Sequence, residues 1–243
     1  MLFLILSIVI QAGLIVHVIR TGRNQLWIWV LLFLPLAGGV AYLAVEVLPG
    51  LFRTRTARRT ARSFRKAMDP EADLRRYQQE AQVAGNVASR QRYAEELVRR
   101  ERYDEAIAQY SQALSGLYQH DPNLMLGLAQ AQFGKGEART ARETLDELIR
   151  QNPDFRSPAG HLLYARALEA EGNVAKALEE YRVLAPAFPG AEASVRYAQL
   201  LEKQGRRAEA QTVARELLEQ ARIAPGHYRR AQREWLEAAQ RLV

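Results

Sequence analysis

Four stretches, YDEAIAQYSQAL (103–114), ARTARETLDEL (138–148), VAKALEEYRVL (174–184) and RAEAQTVAREL (207–217), repeat one pattern and decide how the chain folds. Their small residues Ala106, Ala141, Ala177 and Ala210 follow one another at intervals of 35, 36 and 33 residues. Gly136, Gly172 and Gly205 each stand five residues before the last three of these alanines, and Ala129, Ala165 and Ala198 stand twelve before them. Pro153 and Pro189 come twelve after the middle two. Agreement at several positions at one period marks a repeated supersecondary unit.

The unit reads as helix, tight turn, helix. Small residues at facing positions let the two helices approach, Gly ends the first helix, and Pro stops the second before the next unit begins. Large residues at the other inward positions fill the seam: Tyr93, Leu97, Tyr110, Leu128, Leu145, Leu148, Tyr164, Leu168, Tyr181, Leu184, Tyr197, Leu201 and Leu217. One such unit cannot bury its own apolar face, so the units must stack, and the expected fold is an all-α superhelical solenoid of about four repeats over 86–243. The first unit departs by carrying Glu101 in place of Gly and by a second helix lengthened through SGLYQHDP, so that Pro122 arrives a turn late. The fourth has Arg222 where Pro is expected, and Pro225 follows. A polar helix at 71–84 (EADLRRYQQEAQVA) caps the front, and HYRRAQREWLEAAQRLV (227–243) places Ala231, Trp235, Ala238 or Ala239 and Leu242 on one stripe that covers the last seam.

Over residues 87–224 this pattern resembles the tetratricopeptide repeat, whose period is ~34 residues. The resemblance implies a curved array in which the first helix of every unit lines a concave, protein-binding wall. Its groove positions fall on Gln91, Glu95 and Val98 in unit one, Asn123, Leu126, Gln130 and Phe133 in unit two, Leu162, Arg166 and Glu169 in unit three, and Val195, Gln199 and Glu202 in unit four. The Lys/Asn/Arg set with which chaperone-binding relatives clamp a C-terminal carboxylate is replaced by Gln91, Glu95, Ala159 and Leu163, so binding of such tails is not expected.

Ahead of the repeats the composition changes. Leu2–Ile19 and Asn24–Val45 are uncharged runs of 18 and 22 residues. As helices they would be roughly 27 and 33 Å long, matching a hydrocarbon layer of ~30 Å. Residues 1–50 therefore read as a two-helix transmembrane hairpin, with no basic n-region or small-x-small site to suggest a cleaved signal. The loop between them holds Arg20 and Arg23. Residues 51–66 hold seven cations and no acid: Arg53, Arg55, Arg58, Arg59, Arg62, Arg65 and Lys66. Positive charge is retained on the cytoplasmic side, which puts both termini in the cytoplasm of a bacterial inner membrane. Trp27 and Trp29 then lie at the outer interface and Tyr42 nearer the inner one, while Pro35, Gly38 and Gly39 suit a kink and close helix packing. Gln11 and His17 are the strongly polar side chains of the first run, and neither run holds a charge at mid-depth. The segment WIWVLLFLPLAGGVAYLA (27–44) with the short helix and Arg-containing loop before it is similar to the N-terminal membrane segment of phospholipase D-type cardiolipin synthases. The His-x-Lys-x4-Asp motifs of those enzymes are absent, since none of His17, His120, His161 or His227 has Lys two residues later.

Within 51–85, Ala57, Ala61, Phe64 and Met68 recur at helical spacing, so a basic helix along the inner leaflet is expected there, with lipid headgroups as its partner and nucleic acid as the sharper alternative. The net charge of +7 comes from this block. Residues 67–243 carry 25 basic and 26 acidic side chains, which argues against a nucleic-acid-binding domain. With no Cys and four scattered His there is neither a disulfide framework nor a plausible zinc set, and no cofactor is implied. Phe133-Gly-Lys-Gly-Glu137 lacks the spacing of a phosphate loop and falls at an interhelical turn. The adjacent carboxylates Glu95/Glu96 and Glu179/Glu180 point to different sides of their helices and read as solvated faces. The expected function is a non-enzymatic, membrane-anchored scaffold or adaptor that holds a protein partner. An accessory subunit whose hairpin contacts a lipid-synthesis or export complex is the alternative, and an enzyme would need a catalytic set that the sequence does not display.

Overall fold

Each of the four interhelical turns is closed by the same pair of backbone hydrogen bonds. Glu101, Gly136, Gly172 and Gly205 adopt positive φ (60, 93, 78 and 75°). Their N–H groups donate to Val98, Phe133, Glu169 and Glu202, and the next residue's N–H donates to Leu97, Gln132, Leu168 and Leu201, all at 2.9–3.0 Å. This is the Schellman closure, which satisfies the last carbonyls of the first helix while reversing the chain. Three of the four positions are glycines, as the left-handed backbone favours; Glu101 holds the same geometry with a side chain attached.

The chain divides into two units, Met1–Ala72 and Asp73–Val243. The structure, a computed structural model, describes residues 69–243 together with Val16, Arg20 and Val30. The expected hairpin at 1–50 and the cations of 51–66 lie outside the described residues. Among the described residues no helix is long and apolar enough to cross a membrane.

Eleven α-helices follow in chain order: α1 (Ala72–Ala84), α2 (Val87–Arg99), α3 (Tyr103–Ala113), α4 (Pro122–Gly134), α5 (Ala138–Gln151), α6 (Pro158–Ala170), α7 (Val174–Leu184), α8 (Glu192–Lys203), α9 (Arg207–Ile223), α10 (Gly226–Ala231) and α11 (Arg233–Gln240). The pairs α2/α3, α4/α5, α6/α7 and α8/α9 are the four repeats, each packed on the next in sequence order, so the expected all-α solenoid is what forms. Three of the four first helices start at side-chain caps: Asn86 accepts from Ser89 N–H (2.9 Å), Asp121 from Leu124 N–H (3.0 Å) and Ser157 from Gly160 N–H (3.0 Å). Pro122 and Pro158 occupy the first turns of α4 and α6, where a missing N–H costs nothing.

Buried side chains form three clusters along the stack, with the half-buried Leu114 and Tyr164 each packed against two of them. Ala94, Ala106, Ala129, Ala141, Ala165, Ala177, Ala198 and Ala210 are all buried, and Leu97, Leu168, Tyr181 and Leu201 fill the seams between them. Each such large side chain contributes about 1.5–3 kcal/mol of apolar burial. Eleven of the thirteen expected seam residues are buried, whereas Leu128 and Tyr164 are half-buried. At the front, α1 turns Leu74 and Ala81 into the cluster that holds Tyr93 and Leu97.

Two expectations at the edges are corrected. The second helix of unit one is not lengthened: α3 stops at Ala113, and the extra residues form a short 3-10 turn, Gly116–Tyr118, that leaves Leu117 fully exposed. Gly116 at φ 56° turns the chain out of helix there. In unit four the missing Pro lets α9 run on to Ile223 before Pro225 ends it. The rear segment is not one helix, because it breaks at Gln232 (φ −101°, ψ 12°). That side chain accepts a hydrogen bond from Ala191 N–H (3.0 Å) at the start of α8, which has no side-chain cap of its own. Ala239 and Leu242 are buried as expected, Trp235 is half-buried, and Ala231, beyond the break, is exposed.

Because Glu101 pays for a left-handed backbone that Gly adopts freely, Glu101→Gly is expected to stabilise the array by about 1 kcal/mol, read as a raised denaturation midpoint by circular dichroism.

Candidate functional site

The first helices α4, α6 and α8 lie side by side in the stack, and their shared face carries a continuous line of polar and aromatic contacts. Arg166 on α6 lies over the ring of Phe133 on α4, 4.7 Å from its centroid. Its Nη1 stands 3.9 Å from Glu192 Oε1 on α8, and that carboxylate accepts from Arg196 Nε at 2.8 Å. The Arg196 guanidinium in turn lies 5.3 Å from the Trp235 ring of α11. One turn along, Lys203 reaches Glu169 (3.4 Å), whose other oxygen accepts from Tyr181 Oη (2.9 Å). Burial together with the Glu169 charge pushes Tyr181 far above the usual phenol range, so the hydroxyl stays a donor. Phe133, Arg166, Glu169, Arg196, Leu200 and Lys203 line a hollow of about 390 Å³ on this face.

The expected groove residues divide into four groups. Phe133, Arg166 and Glu169 are brought together at this hollow, and Gln199 is half-buried and Glu202 exposed on the same α8. Gln130 and Asn123 are exposed on α4, and on α2 Gln91 donates to Glu95 (3.0 Å) at the surface while Val98 packs against the front core cluster. Leu162 and Val195 are corrected: both are buried in the core shared by units three and four, because their positions point into the helix–helix seam and offer no surface to a partner. Leu126 lines a different hollow, of about 580 Å³, with Leu145, Leu148, Phe155, Leu184 and the polar pairs His161–Glu180 (2.7 Å) and Tyr164–Asp146 (2.9 Å). Burial and the Asp146 acceptor push Tyr164 up to about 12. Sequence reasoning missed Glu192, Arg196 and Lys203 on the wall. Their spacing of four and seven on α8 places them on one face, which was the available signal. The second hollow joins α4, α5, α6, α7 and the 155–157 linker, and no local spacing announces it.

The carboxylates expected to be solvated are only half so. Glu95 and Glu179 are exposed, but Glu96 is buried and bonded by Arg99 and by Arg100 Nε (2.9 Å), and Glu180 is held by His161. Phe133-Gly-Lys-Gly-Glu137 forms the Schellman turn after α4, with Lys135 paired to Asp104 (2.8 Å) and Glu137 (2.7 Å). Among the described residues no group of His, Asp and Glu is placed to hold a metal ion.

Residues 97–161 match the tetratricopeptide repeat family model. The stack has a tetratricopeptide-like solenoid fold. Solved structures similar to it include MamA (19% identity, TM-score 0.54, 65% of this chain and 93% of that one). A thermophilic tetratricopeptide protein of Thermus thermophilus matches at 18% identity and TM-score 0.54, over 75% of this chain and 96% of that one. YrrB, described as a tetratricopeptide protein with an unusual peptide-binding site, matches at 17% identity and TM-score 0.50, over 68% and 88%. At these identities the likeness is one of fold. No curated protein matches the sequence.

Burial raises the Glu96 carboxyl, but hydrogen bonds and charge from Arg99 and Arg100 outweigh it and hold the group below its ordinary value. A carboxylate depressed in the folded state stabilises it above the unfolded-state pKa and loses that contribution as pH falls through the folded value. Thermal midpoints measured from pH 7 down to pH 3 are expected to fall below about pH 4.5, and less steeply in Glu96→Gln than in the parent.

Proposed function

We propose that the chain is a membrane-anchored tetratricopeptide scaffold that holds a protein partner at the cytoplasmic face of a bacterial inner membrane. The observation that carries the scaffold part is the wall itself: neighbouring first helices present one half-buried face, joined from Phe133 to Trp235 by stacked arginines and the carboxylate of Glu192. Such a face is fixed before a partner arrives, so little ordering cost accompanies binding. The peptide-binding site ascribed to YrrB, which shares the fold, supports a polypeptide as the ligand class. The anchor rests on sequence: two uncharged runs of bilayer-spanning length, followed by the basic block 51–66 that favours retention on the cytoplasmic side. The seven cations Arg53, Arg55, Arg58, Arg59, Arg62, Arg65 and Lys66 would then face anionic headgroups.

A photo-crosslinking amino acid placed at Gln130 or Gln199 of the full chain, in inside-out membrane vesicles, tests both parts. Adducts to one protein from these wall positions but not from Arg182 on α7, with the solenoid digested by added protease, are expected. Equal adducts from Arg182 contradict the wall, and a protease-resistant solenoid contradicts the orientation.

A further inference from the structure

Among the described residues Arg166 Nε is the one buried side-chain nitrogen or oxygen that lacks a hydrogen-bond partner. The Arg166 side chain is otherwise 33% exposed, so its Nη groups reach water; Nη1 is ion-paired with Glu192 at 3.9 Å, beyond hydrogen-bond reach, and the Phe133 ring offers only its face. The carboxylates near it are engaged elsewhere: Glu192 with Arg196, and Glu169 with Tyr181 and Lys203. The half-buried Arg166 side chain lines the 390 Å³ hollow, flanked by two further cations, Arg196 and Lys203, and by the apolar Phe133 and Leu200. Native structures seldom leave a buried donor unmatched without a reason, and a guanidinium is matched best by a bidentate carboxylate.

We propose that this hollow is the specificity pocket of the wall and receives an internal Asp or Glu side chain of the partner, with an apolar neighbour of that residue lying against Phe133 and Leu200. The proposal rests on the wall being the binding face and adds which chemistry it selects. An internal acid is favoured over a chain terminus because the wall lacks the cluster of Lys and Asn that closes around two terminal carboxylate oxygens; the positions that would supply it are Gln91, Glu95, Ala159 and Leu163. Electrostatics agree with the geometry. Burial and then the like charge of Arg196 draw Arg166 below the ordinary arginine value, and the opposing pull of Glu192 and Glu169 does not make this up.

The test is a display selection on the full chain in detergent micelles, using random nonapeptides flanked on both sides so that no free carboxyl terminus is offered. Enriched peptides are expected to share an Asp or Glu at one position beside an apolar residue. In a synthetic, end-blocked copy, Glu→Gln (or Asp→Asn) should weaken binding to the parent chain about tenfold by fluorescence anisotropy. The same change should cost less than about twofold with Arg166→Gln, a variant whose fold is verified by its thermal midpoint, while Arg166→Lys keeps part of the preference. Enrichment without a fixed acid, or an equal cost of Glu→Gln in parent and Arg166→Gln, overturns the proposal. If such acid-free peptides still lose binding on Phe133→Asp, the wall remains the binding face and only its acid preference falls. Peptides that ignore Phe133→Asp as well remove both.

Discussion

Close approach of paired helices at small residues is the constraint on which the rest of the structure depends. Ala94 with Ala106, Ala129 with Ala141, Ala165 with Ala177, and Ala198 with Ala210 recur at one spacing, and all eight are buried. Their size sets how near the two helices of a unit can come, and therefore how far each unit rotates the next. The Schellman turns repeat the reversal with the same two hydrogen bonds each time. Large residues such as Leu97, Tyr181 and Leu201 then fill what the small ones leave, and the buried clusters that result each span more than one unit.

A stack built this way exposes the same face of each first helix, and that repetition makes a wall without any loop being designed for it. The chemistry of the wall is nonetheless uneven. Unit one shows Gln91 bonded to Glu95 at the surface, whereas units two to four and α11 are tied together by Phe133, Arg166, Glu192, Arg196 and Trp235. The rear cap thus does two jobs: Ala239 and Leu242 close the last seam, and Gln232 reaches back to the start of α8.

The period, the turns and the seam were legible from residue spacing because they are local or repeat at fixed intervals. Edges were read less well, for physical reasons. SGLYQHDP carries its breaker, Gly116, as its second residue, a single local signal set against the late Pro122, and the break falls at Gln232, whose side chain bonds a residue 41 positions away. On the wall, assigning positions from the family pattern found Phe133, Arg166 and Glu169 together but put Leu162 and Val195 on the surface, since a one-residue rotation along a helix exchanges seam for face. Leu126 went astray because its hollow is made by four helices and a linker that spacing does not connect.

Comparison of Ala177→Leu with Ala175→Leu bears most directly on the close-approach account. Both add the same side chain to α7, but Ala177 is buried against α6 and Ala175 is exposed. Thermal unfolding should show Ala177→Leu destabilised by about 1–3 kcal/mol while Ala175→Leu stays within about 0.5 kcal/mol of the parent. Equal midpoints for the two variants would mean that the helices are not held together at these alanines.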